Sequence, residues 1–145
     1  MKKKAILMLC LILIFTLTGC TKDALSYIQE HSKLDLRGKY SSFEIDDTYY
    51  STGDSIYKYE IRSSEIENVR QFIKDNWGDL VRGENLHLPK NLSSPIYKQV
   101  AEDKEYCSET YFFWTNTETG AKTDELGVYI VDKGTEMYLV FSAIP

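Results

Sequence analysis

Cysteine, histidine and paired aspartate are where this chain could do chemistry, and it has few of each: Cys10, Cys20 and Cys107, His31 and His87, and the neighbours Asp46-Asp47. A thiol beside an imidazole makes a nucleophile, because the imidazole takes the thiol proton. Cys107 with His31 or His87 is therefore the one arrangement for covalent catalysis, the basis of a small hydrolase. Tyr106-Cys107-Ser108 carries no cysteine-enzyme signature, and cysteine is among the residue types most often buried, so a thiol packed inside a strand is expected. Neither H-E-x-x-H nor Cys-x-x-Cys occurs, so the histidines are expected to be surface residues, and no metal or other cofactor is expected. Asp46 and Asp47 would point to opposite faces of a strand, which makes them poor joint calcium ligands.

Cys20 stands where an apolar run stops. Lys2, Lys3 and Lys4 form a positive start, and Ala5 to Thr16 is almost wholly apolar. That is the length of a signal-peptide core and short of the roughly 20 apolar residues of a spanning helix. The run ends Leu17-Thr18-Gly19-Cys20, which resembles the lipobox of bacterial lipoproteins. The resemblance covers only the first twenty residues. It implies that the Cys20 thiol receives a diacylglyceryl group and that a signal peptidase cuts just before it, removing residues 1–19. A diacylglyceryl group supplies the two acyl chains that stable anchoring requires. The mature protein would then be lipid-anchored on the extracytoplasmic face of a membrane without crossing it. Thr21 stands where Asp would resemble an inner-membrane retention signal, which points to the outer membrane where a cell has two.

Ser55-Ile56-Tyr57-Lys58 matches the S-x-x-K nucleophile pattern of penicillin-binding proteins. That motif opens a helix, however, whereas alternation here reads as strand, and Lys133-Gly134-Thr135 is not K-T-G.

Cleavage would leave 126 residues, Cys20 to Pro145, the size of one domain. Taking Lys2, Lys3 and Lys4 from 17 basic residues leaves 14 against 22 acidic ones, a net charge near −8. Nucleic acid, whose binding needs a basic stripe, is excluded as a partner; a basic partner would be favoured. With Cys107 the only thiol left free, the domain has no internal disulfide and is expected to be a monomer stabilised by packing.

These residues need elements to hold them. Asp23 is a plausible N-cap for a short helix, and residues 20–38 read as a lipidated, slightly basic neck before a domain at 39–145. Phe43 and Ile45, then Tyr57, Tyr59 and Ile61, alternate with polar residues around Ser51-Thr52-Gly53-Asp54, which predicts a β-hairpin. Ser64-Glu65-Ile66-Glu67 predicts a capping box, followed at helical spacing by Ile66, Val69, Ile73 and Trp77, with Phe72 beside them and Gly78 closing the helix. Ser94-Pro95 opens a short helix to about Ala101. Glu105–Thr115, Glu125–Asp132 and Thr135–Ile144 predict a three-stranded meander with a tight turn at Asp132-Lys133-Gly134-Thr135. The fold class is α+β: an antiparallel sheet of about five strands with one long helix on one face.

Eleven tyrosines and Phe112-Phe113-Trp114 make both sheet faces aromatic. In a regular strand Phe112 and Trp114 share one face, Tyr111 and Phe113 the other. The long helix should take the more aliphatic face, Leu126, Val128, Ile130, Met137, Leu139 and Phe141. Tyr129 and Tyr138 would then stand exposed on the outer face as candidate contacts for a protein or glycan partner. The expected function is a membrane-anchored, non-catalytic binding module. The alternatives are an immunity or inhibitor lipoprotein that neutralises a toxin or enzyme, and the small hydrolase.

Overall fold

Asp23 Oδ1 accepts the Ser26 amide at 2.7 Å and caps helix α1, Ala24–Ser32, as its side chain predicts. The computed structural model describes residues 23–46, 55–78, 83, 86–88, 93–116 and 123–144, without the side chains of 114–116, 123–125 and 143–144. Residues 1–19, expected to be a signal peptide, Cys20, the expected turn Ser51 to Asp54 and the ring of Trp114 lie outside the described residues.

The strands are β1 (Tyr40–Asp46), β2 (Ser55–Ile61), β3 (Cys107–Asn116), β4 (Thr123–Asp132) and β5 (Met137–Ile144), antiparallel in the order β1-β2-β5-β4-β3. The hairpin and the meander join where β2 pairs with β5, which leaves β1 and β3 at the edges. Between β4 and β5 the chain reverses at Gly134, whose φ of 90 is one that L side chains rarely adopt, while Asp132 Oδ1 accepts its amide at 2.9 Å. This is the α+β architecture that the hydrophobic periods predict.

Helix α2, Ile66–Trp77, lies on the aliphatic face. Ile66, Val69 and Ile73 are buried against Leu126, Val128, Ile130, Met137, Leu139 and Phe141, with Phe72 and Trp77 packed at the margin. Ile28 of α1 and the following Leu34 and Leu36 sit in the same core, so residues read as a neck contribute to the domain's interior. Trp77 Nε1 donates to the Ser32 carbonyl at 3.0 Å and ties the two helices.

The start of α2 differs from expectation. No capping box forms: Ser63–Glu65 is a 3₁₀ turn with no side-chain cap bond, and Glu65 accepts from Asn68 Nδ2 at 3.2 Å instead. The 3₁₀ turn closes on the Arg62 carbonyl through the Glu65 amide at 2.8 Å, so α2 starts later than the Ser-Glu pattern implies.

Two bulges break the alternation. Tyr111 pairs with Gly127 but Phe113 with Leu126, which leaves Phe112 extra. Tyr111 thus lies on the face opposite α2, whereas Phe113 packs into the α2 core, its ring 5.7 Å from that of Trp77. Regular pairing would keep Tyr111 and Phe113 together; one inserted residue parts them. In β1, Tyr40 pairs with Ile61 but Ser42 with Glu60, so Tyr40 joins Phe43 on one face.

Candidate functional site

The second face of the sheet is covered. Helix α3, Pro95–Glu102, lays Ile96, Tyr97 and Val100 over Ile56, Cys107, Tyr129, Val131, Tyr138 and Val140. Pro95 opens the helix where its missing N–H costs nothing, and Lys98 N donates to the Ser94 carbonyl at 3.0 Å.

This corrects the reading of Tyr129 and Tyr138. They are 4% and 6% exposed, core rather than platform. The Tyr129 ring meets Tyr97 edge-on at 5.9 Å, and its hydroxyl donates to the His87 carbonyl at 3.0 Å. The Tyr138 hydroxyl donates to Asp103 Oδ2 at 2.8 Å. Burial pushes both phenols above their ordinary pKa, reinforced at Tyr129 by the Glu109 charge and at Tyr138 by Asp103. The physical reason is simple: an apolar sheet face and an amphipathic helix each need a partner, and they supply one to each other.

Around Tyr138 lies a polar network that sequence reading missed. Lys58 is 2% exposed, and its Nζ donates to Glu44 at 3.2 Å, Glu60 at 3.1 Å and Gln99 of α3 at 2.8 Å, while resting 4.9 Å above the Tyr138 ring. Lys133 Nζ reaches Asp103 Oδ1 at 2.8 Å. Burial would raise the Asp103 carboxyl's pKa, but the bonds from Lys133 and Tyr138 outweigh it and hold that carboxyl below its ordinary value. A groove of about 380 Å³ opens beside the network, lined by Ser41, Glu60, Gln99, Lys133, Glu136 and Tyr138. Its walls are mostly polar, unlike the apolar clefts that hold small organic ligands. The legible signal was Lys58 itself, a lysine on the same face of β2 as Ile56.

Cys107 opens β3, fully buried. Burial pushes its thiol up to about 12, with help from the Glu109 and Asp103 charges, whereas a nucleophilic cysteine needs the opposite shift. Glu109 is near, and its carboxyl is raised by burial against the opposing His87 amide bond. That amide donates to Glu109 Oε2 at 2.6 Å, and the His87 carbonyl accepts from Tyr111 and Tyr129. The His87 ring is 82% exposed and its Nδ1 stands 3.9 Å from Glu109, beyond hydrogen-bond reach. His87 thus works through its main chain. His31, expected at the surface, is buried instead: Nδ1 donates to the Tyr27 carbonyl at 2.9 Å and the ring stacks on Tyr27 at 4.1 Å. Asp46, at the end of β1, is buried as well.

Among the described residues no three His, Cys, Asp or Glu side chains come together as a metal site, and no helix is long and apolar enough to cross a membrane. The large apolar side chains that do face outward include Phe43 and Ile45 on edge strand β1, and Phe112 at the β3 bulge. Comparison with known proteins finds no matching family model, no matching curated protein and no matching solved structure.

Proposed function

We propose that the chain is a lipoprotein, held through a diacylglyceryl group on Cys20 at the extracytoplasmic face of a membrane, whose domain acts as a non-catalytic binding module. The observation that carries the reading is the order Lys2-Lys3-Lys4, an apolar run to Thr16, and Leu17-Thr18-Gly19-Cys20. The buried, proton-holding thiol of Cys107 and the outward His87 ring favour binding over covalent catalysis. The acidic mature composition favours a basic partner.

Intact-mass measurement of membrane-fraction protein tests the anchor. The expected N-terminus is Cys20 carrying the acyl mass, and Cys20→Ser should abolish that mass and leave precursor uncut. A mature N-terminus elsewhere would overturn the reading.

A further inference from the structure

We propose that the outer side of edge strand β1, with Tyr40, Phe43 and Ile45, seats against the lipid bilayer and orients the domain on the membrane. The inference rests on the Cys20 anchor of the preceding section.

Chain length places the anchor beside this strand. Cys20 precedes Asp23 by three residues, which reach at most about 11 Å. Asp23 sits 4.0 Å from Arg37 Nη2, and the same guanidinium donates to Ser26 Oγ at 2.8 Å. Arg37 stands three residues before Tyr40, where β1 begins. These contacts put the lipid within chain reach of the start of β1, on the face that carries α1.

That side of β1 suits a lipid surface. Phe43 is 53% exposed and Ile45 48% exposed, although both alternate like core residues. The bulge at Ser41 turns Tyr40 to the same face, where its ring meets Phe43 at 6.1 Å and Tyr59 at 5.1 Å. Phe43 stacks on Tyr59 at 6.1 Å, so it stands on a rigid base. Aromatic rings are favoured at headgroup depth. The charges agree: Lys39 Nζ donates to the Asp35 carbonyl at 2.8 Å and Arg62 Nε to the Tyr40 carbonyl at 3.0 Å. These neutral acceptors leave both positive charges available to anionic headgroups. In an acidic protein, two such cations and three apolar rings or chains beside the anchor form a surface complementary to a bilayer. Helix α3, on the opposite face of the sheet, would then point away from the membrane.

The test uses full-length lipidated Phe43→Trp, with Lys98→Trp on the exposed side of α3 as the control, each reconstituted into vesicles of phosphatidylcholine and phosphatidylglycerol. Half of the preparations carry bromine in the upper acyl chain, a short-range quencher. The tryptophan at position 43 should lose about half of its added emission, as expected of a side chain buried ~5–10 Å into the headgroup boundary, and the one at 98 none. No quenching at 43, or equal quenching at both, overturns the inference. Burial of the position-43 indole that grows with protein density but not with bromine assigns the edge to a second copy and also overturns it. Intact mass of the same samples separates the two claims. Protein without acyl mass overturns the anchor, whereas acylated protein that escapes quenching overturns only the seating of β1.

Discussion

Arg70 of α2 and Asp132 at the end of β4 meet in a two-point bond, Nε to Oδ2 at 2.8 Å and Nη2 to Oδ1 at 3.0 Å. Arg70 also bonds Glu67 and, at 3.2 Å, the Gly134 carbonyl. One guanidinium thus fixes the long helix to the β4–β5 turn. Arg70→Ala should cost about 1–3 kcal/mol, since it leaves a nearly buried carboxylate without its charged donor. Urea unfolding measures the cost, and a loss below about 0.5 kcal/mol would place the bond with ordinary surface pairs.

Tyr129→Ala and Tyr138→Ala should each be severely destabilising, because each opens a cavity under α3 and removes a hydroxyl donor from the His87 carbonyl or the Asp103 carboxylate. Truncating a buried large aromatic costs about 3–5 kcal/mol, so the double variant should lose about 6–10 kcal/mol, most of a total stability of about 5–15 kcal/mol, and be largely unfolded at room temperature. Far-ultraviolet circular dichroism decides it. A folded double variant would mean that α3 does not hold this face.

Asp103→Asn should destabilise at neutral pH by about 1–3 kcal/mol through the weakened bonds from Lys133 and Tyr138. The folded carboxyl titrates below its ordinary 3.8. Its contribution is therefore present above that pH and lost as pH falls through the lower, folded value. The stability gap between the native chain and Asp103→Asn should narrow below pH 3.8, as denaturant titrations across that range would show. A gap independent of pH would contradict the network.

Cys107 should resist alkylation in the native domain, since only thiolate reacts and burial holds the thiol pKa at about 12. Iodoacetamide labelling, read by mass, should proceed only at the rate of unfolding and become rapid in denaturant. Fast labelling of folded protein would return Cys107 to the list of candidate nucleophiles.

Periodicity determined much of this protein. The repeat Ile66, Val69, Ile73 and the alternation Leu126, Val128, Ile130 describe one helix and one sheet face that had to meet, and they do. Asp23 and Pro95 marked helix starts because capping and a fixed φ are properties of single residues and their near neighbours. The order of charges, apolar residues and Cys20 likewise needs no tertiary structure to be read.

The tertiary structure alone decided what covers the other face and where alternation fails. Ile56, Val131 and Val140 with Tyr129 and Tyr138 form a second apolar surface, and Ile96, Tyr97 and Val100 a second apolar stripe. Both were legible, but their meeting depends on where the chain lays an eight-residue helix against the sheet, which no local period encodes. The bulges at Ser41 and Phe112 are also decided by pairing with another strand. One inserted residue moves Tyr40 beside Phe43 and parts Tyr111 from Phe113, because a side chain's face is set by cross-strand register and not by its own sequence.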